Sequence, residues 1–143
     1  MKKLILIGKS GCGKTTLTQV LYQKKIDYKK TQSMEYYENI IDTPGEYIEN
    51  RRFYKALIVS SVDCDVIGLL QDCSKDDSIF PPNFSSIFAK PVIGIITKSD
   101  LCNGEEKYKR AEEFLLSAGA QRIFKTSSYN NEGIDRIKEY LNE

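Results

Sequence analysis

The sequence predicts an α/β fold, a three-layer domain in which helices cover both faces of a mostly parallel sheet with a shortened second strand. Three observations carry this. Short continuous apolar runs recur along the chain, stretches with helical apolar spacing lie between them, and a glycine-rich turn joins the first run to the first such stretch. Continuous apolar runs suit strands covered on both faces. Strands that alternate with helices imply parallel pairing through crossover helices.

Each element follows in order. Leu4-Ile5-Leu6-Ile7 is the first strand, and Leu17, Val20 and Leu21, at i, i+3 and i+4, predict a helix over about Lys14 to Gln23. Ile40-Ile41 is a weaker strand candidate, preceded by a short strand and hairpin. Phe53, Ala56 and Leu57 predict the next helix, after Arg51. Val66-Ile67-Gly68-Leu69-Leu70 and Val92-Ile93-Gly94-Ile95-Ile96 are two further strands, each with a central glycine where a neighbour can pack closely. The segment between them, Lys75 to Lys90, contains Pro81-Pro82 and Asn83 and reads as a loop or one short helix. Ala111, Phe114, Leu115 and Ala118 form the cleanest helical stripe, with Gly119 placed to cap it. Ile123-Phe124 is a weaker strand, and Ile134, Ile137 and Leu141 predict a closing helix. No repeat, low-complexity segment or linker interrupts this order, so one domain over residues 1–143 is expected.

Composition excludes several function classes. The 143 residues are 41% hydrophobic and 29% charged, the balance of a globular chain. Lys and Arg total 21 against 20 for Asp and Glu, which leaves no basic excess for a nucleic-acid or anionic-membrane partner. No apolar run approaches the roughly 18 residues of a membrane span. The apolar run after Met1-Lys2-Lys3 is too short for a signal peptide, and a cytoplasmic location is expected. The chain has no histidine, which removes Ser-His and Cys-His nucleophile pairs, a His base and imidazole metal ligands. Cys12, Cys64, Cys73 and Cys102 show no C-x-x-C spacing, so reduced, largely buried thiols are expected rather than a zinc site.

The strongest signal is Gly8-Lys9-Ser10-Gly11-Cys12-Gly13-Lys14-Thr15, a full match to G-x-x-x-x-G-K-[ST] between the first strand and the first helix. A chain of this length meets that pattern by chance in roughly one case per few hundred. Glycines let successive backbone N–H groups approach phosphate oxygens, and the helix opening at Lys14 adds its dipole. The candidate nucleotide contacts here are Gly8, Ser10, Gly11, Cys12, Gly13, Lys14, Thr15 and Thr16. Lys14 is also a candidate catalytic residue, its ammonium reaching the β- and γ-phosphates, while the Thr15 hydroxyl ligates Mg²⁺.

Downstream pieces follow in order. Asp42-Thr43-Pro44-Gly45 fits D-x-x-G at a strand end, with Asp42 a candidate Mg²⁺ ligand through water and the Gly45 N–H facing the γ-phosphate. Alone, this is an ordinary turn sequence. Thr97-Lys98-Ser99-Asp100 fits [NT]-K-x-D. Asp100 can accept from the N1–H and 2-amino group of guanine, a donor pair that adenine lacks, while the Lys98 stem lies on the ring. Ser127 and Ser128, in Thr126-Ser127-Ser128, sit where a backbone N–H can meet guanine O6.

Together these motifs resemble the small Ras-like GTPases, P-loop NTPases, over nearly the whole chain. Within that superfamily the chain resembles the EutP/PduV family of ethanolamine and propanediol utilisation. That resemblance rests on short length, on Lys30-Thr31-Gln32-Ser33-Met34-Glu35-Tyr36, and on Ile41-Asp42-Thr43-Pro44-Gly45-Glu46-Tyr47. It implies GTP or GDP with Mg²⁺ as ligands and association with bacterial microcompartments, through shell or enzyme proteins.

Several positions depart from the Ras pattern. Thr31, the candidate switch threonine for Mg²⁺, precedes Asp42 by only 11 positions. Glu46 is the candidate catalytic residue where Ras-like enzymes carry a water-orienting glutamine, and its charge opposes the γ-phosphate. Ser10 replaces a small glycine and crowds an incoming arginine finger. Thr97 in place of Asn loses an amide that ties its loop to the phosphate loop. Slow hydrolysis is the expectation. The basic stretch Lys24-Lys25 and Lys29-Lys30 reads as a solvated helix end and loop, or as a surface that steers a nucleotide or binds a partner. Tyr36, Tyr37 and Tyr47 lie near the expected switches, where they serve packing or a partner surface. Two rival readings stay open: an ATP-dependent kinase acting on a carboxylate such as acetate, and a nucleotide-responsive binding module.

Overall fold

The computed structural model describes residues 1–21, 35–36, 39–102 and 104–143. Thr31, the Lys24 to Lys30 basic stretch, Tyr37 and the end of the first predicted helix lie outside them. Five strands form a parallel sheet in the order β3 (Ile40–Asp42), β1 (Leu4–Ile7), β4 (Val66–Asp72), β5 (Val92–Thr97) and β6 (Ile123–Lys125), and the two-residue β2 (Glu35–Tyr36) joins β3 antiparallel at the edge. This is the mostly parallel sheet that the apolar runs predict, with the short second strand expected from the spacing of Thr31 and Asp42. The register sets Leu4 beside Ile40 on one side and beside Val66 on the other.

The β1 side chains divide the core. Leu4 and Leu6 pack with Leu17 of α1 (Lys14–Leu21) and with Ile134, Ile137 and Leu141 of α5 (Ile134–Leu141). Ile5 and Ile7 pack on the other face with Ile48 of α2 (Glu46–Glu49), Leu57 of α3 (Tyr54–Ser61), and Ala111 and Leu115 of α4 (Glu105–Ser117). Alternation along a strand sends neighbouring residues to opposite faces, so an unbroken apolar run marks a strand with helices on both sides. Each fully buried Leu or Ile contributes about 1.5–3 kcal/mol relative to exposure.

The helix ends follow local chemistry. Gly119 takes φ of +100°, its N–H donates to the Leu116 carbonyl at 3.0 Å, and the Ala120 N–H donates to the Leu115 carbonyl at 3.0 Å. That pair of bonds is a Schellman cap, which needs the left-handed residue that glycine supplies. Gly94 is held by packing instead: a Cβ there would lie 2.8 Å from Ile123 Cδ1 and 2.9 Å from Leu115 Cδ1. The helix predicted around Phe53 is longer and broken. It runs as α2, a 3-10 turn over Arg51–Phe53 and then α3, because Asn50 goes extended at φ −133° and its side chain accepts from Arg52 N. The Lys75 to Lys90 segment contains one short 3-10 turn, Phe84–Ile87. No helix among the described residues is long and apolar enough to cross a membrane.

The order β3-β1-β4 matters for function. The chain leaves β1 toward β3 on one side and later continues from β4 on the other. Such a reversal opens a crevice at the strand carboxyl ends, where ligands of open α/β sheets sit.

Candidate functional site

The turn from β1 into α1 wraps at that crevice. Gly11 and Gly13 adopt φ of +82° and +101°, backbone that other residues reach only with strain. Lys14 is buried, its Nζ donating to the Gly8 carbonyl at 2.7 Å and the Lys9 carbonyl at 3.3 Å. The ammonium thus folds back over its own loop. Gly8 leaves no room for a side chain, since a Cβ would lie 2.6 Å from Cys12 Sγ. Burial pushes the Cys12 thiol above its ordinary range, with Lys14 opposing only in part, so the sulfur is neutral packing and no nucleophile.

Thr15 Oγ1 donates to Asp42 Oδ2 at 2.7 Å, which joins the opening of α1 to the end of β3. A hydroxyl and a carboxylate oxygen side by side are hard oxygen donors, and so small a set suits Mg²⁺, which keeps waters and phosphate oxygens as its remaining ligands. Gly45 lies directly against the backbone N and Oγ of Ser10, with no space for a Cβ. The D-x-x-G turn is therefore seated on the phosphate loop.

The loop after β5 is anchored to the phosphate loop twice. Lys98 Nζ donates to the Gly11 carbonyl at 2.6 Å, and Thr97 Oγ1 donates to the Cys12 carbonyl at 2.5 Å. Thr97 lacks the amide of an asparagine at this position, but its hydroxyl, on a shorter stem, ties the two loops. Lys98 sits at φ +58°, a strained conformation for a residue with a Cβ. Its side chain is fixed further by Asp72, whose Oδ2 lies 3.0 Å from Nζ and whose Oδ1 accepts from Ser74 N and Oγ at 2.8 and 2.6 Å. Ser127 Oγ donates to Asp100 Oδ1 at 2.8 Å.

These loops enclose a cavity of about 620 Å³, whose lining includes Ser10, Gly11, Gly13, Lys14, Thr15, Thr16, Gly45, Thr97, Lys98, Asp100 and Ser128. Gly8, Cys12, Asp42 and Ser127 stand behind this lining and are buried, while Glu46 is exposed at the start of α2 outside it. Ser127 does not present its N–H to the cavity, because that group donates to the Glu132 carbonyl at 3.0 Å. It orients Asp100 instead. Leu101 and Tyr129 also line the cavity and were not candidates from sequence, where a lone exposed leucine or tyrosine carries no signal.

Cys73, just after β4, and Cys102, just after the Ser99–Leu101 turn, are joined by a disulfide with Cα atoms 5.6 Å apart. This corrects the expectation of reduced thiols for that pair. A separation of 29 positions with no C-x-x-C spacing gave no sign of it; parallel pairing of β4 with β5 brings the two strand ends together. Cys12 and Cys64 are free and buried.

The family model PduV-EutP, described as "Ethanolamine utilisation - propanediol utilisation", matches residues 1–143. The propanediol utilization protein PduV of Citrobacter freundii is 42% identical over 142 residues, covering 99% of this chain and 94% of that protein. The "Probable acetate kinase EutP" of Escherichia coli (strain K12) is 31% identical over 144 residues, covering 99% and 89%. The "Probable GTP-binding protein EngB" of Desulfovibrio desulfuricans is 28% identical over 164 residues, covering 97% and 81%, in keeping with a P-loop NTPase fold.

Proposed function

Because the chain belongs to the PduV-EutP family of ethanolamine and propanediol utilisation, we propose that it is a Mg²⁺-dependent guanine-nucleotide-binding protein and a slow GTPase of those pathways, working beside the shell or enzyme proteins of a bacterial microcompartment. The observation that carries the reading is one cavity lined both by Lys14 and Thr15 and by Lys98 and Asp100. A phosphate loop alone binds anions. A carboxylate in the same cavity, oriented by Ser127, adds a base-reading group with the acceptor pair that guanine requires.

In this reading the N–H groups of Gly13, Lys14 and Thr15 hold the β-phosphate, and the Lys14 ammonium moves from loop carbonyls to phosphate oxygens. Thr15 and Asp42 would hold Mg²⁺, which supplies charge neutralisation at the β- and γ-phosphates; Thr31 is our further candidate for that ion. Lys98 lays its stem on the base, Asp100 accepts from its N1–H and 2-amino group, and Ser128 faces O6. Water attacks the γ-phosphorus, the bond to the β-phosphate oxygen breaks, and GDP and inorganic phosphate leave. Glu46 is the residue nearest Gly45 in sequence that can orient this water, and its negative charge keeps the step slow.

The name of the Escherichia coli relative favours a second reading, transfer of the γ-phosphoryl group of ATP to acetate. Calorimetric titration with GTP, GDP, ATP and ADP, with and without Mg²⁺, separates the two. Tight, Mg²⁺-dependent GTP and GDP binding with weak ATP binding is expected; ATP bound as tightly as GTP, with acetate-dependent ADP formation, would move the assignment to the kinase.

A further inference from the structure

Glu49, the last residue of α2, is an exposed side chain whose Oε1 accepts from the backbone N–H of Ser10 at 3.0 Å. Ser10 lies in the middle of the phosphate loop and lines the cavity. A loop built to offer N–H groups to phosphate thus spends one of them on a carboxylate of its own chain. Gly45, packed on the same residue, brings α2 close enough for this contact. Ile48, only 2% exposed, holds α2 to the core, and the Tyr47 ring stacks on Phe53 with centroids 4.9 Å apart. The helix is therefore packed in place, while the Glu49 side chain lies exposed at the solvent edge.

We infer that Glu49 is a diphosphate-selective latch: its carboxylate occupies the Ser10 amide beside the place of a terminal phosphate, and a nucleoside triphosphate must displace it where a diphosphate need not. The inference rests on the nucleotide reading above. With the β-phosphate at the N–H groups that open α1, the chain of phosphates extends toward Gly45 and Ser10. A γ-phosphate there meets the Glu49 charge at close range and competes for the same donor. Like charges a few ångströms apart repel strongly even with solvent nearby. The β-phosphate lies deeper and leaves the contact intact.

The test is the ratio of affinities for a non-hydrolysable GTP analogue and for GDP, both with Mg²⁺, in the parent chain and in Glu49→Gln and Glu49→Ala. Removing the charge should raise the preference for triphosphate about tenfold or more, with GDP affinity held within about threefold. A ratio unchanged in both variants, while the parent binds both nucleotides, overturns the latch and leaves the nucleotide reading standing. A parent that binds neither nucleotide overturns that reading and the latch with it.

Discussion

Lys14 is buried, its ammonium held by the Gly8 and Lys9 carbonyls at 2.7 and 3.3 Å and by the Cys12 sulfur at 3.9 Å, in a loop whose Gly11 and Gly13 take positive φ. Lys14→Ala should abolish GTP binding without loss of fold, since it removes a point charge against the β- and γ-phosphates. Circular dichroism and calorimetry on the same sample check this; undiminished GTP affinity would contradict the phosphate-loop assignment. Glu46→Gln should leave affinity within a few-fold and speed single-turnover hydrolysis, because in the proposed reading a neutral amide replaces the charge that opposes the γ-phosphate. A slower rate would make Glu46 a base, and an unchanged rate would place it outside the reaction. Sequence motifs supplied most residues around the cavity, from Ser10 to Ser128, because each motif fixes a residue type at a fixed spacing. Asp72 and Glu49 escaped that reading. Both act through contacts with distant loops, Lys98 and Ser10, and nothing near either in sequence marks it.

The segments that the motifs occupy are strand ends held in place by cross-loop bonds. Thr97 and Lys98 tie the base loop to the phosphate loop, and the Cys73–Cys102 bridge ties its far end to β4. With a separation of 29 positions, that bridge should stabilise the fold by about 3.5 kcal/mol through loop closure. Reduction should accordingly lower Tm by about 10 °C in a chain of this size. Thiol titration in denaturant without reductant should count two cysteines, Cys12 and Cys64. A count of four with an unchanged Tm would show that the pair is not bridged. Strands and helices themselves were readable in sequence wherever the apolar pattern was strong, as in β1, β4, β5, α4 and α5. The break between α2 and α3 was not, since it depends on one residue, Asn50, whose side chain caps the following turn.

At the level of the molecule, alternation of strand and helix predicts a parallel sheet with two helical layers, and this is the observed architecture. Strand order is a different matter. Which edges pair depends on packing across the whole sheet, and only the structure shows β1 between β3 and β4, with the phosphate loop at the point of reversal. That placement brings a loop near residue 10 and one near residue 100 to the same cavity. Whether the cavity reads guanine is most directly tested at Asp100. The carboxylate offers two acceptors to the N1–H and 2-amino donors; in Asp100→Asn one of them becomes an NH₂ donor facing a donor. Such a mismatch costs about 1–3 kcal/mol, roughly tenfold to a hundredfold in affinity. Titrations of parent and variant with GTP, xanthosine triphosphate and ATP should show GTP weakened by at least that factor. Xanthosine triphosphate, with an acceptor at position 2, should bind the variant better than the parent, and ATP should change little. Equal ATP and GTP affinity in the parent, with neither altered by the substitution, would contradict guanine recognition.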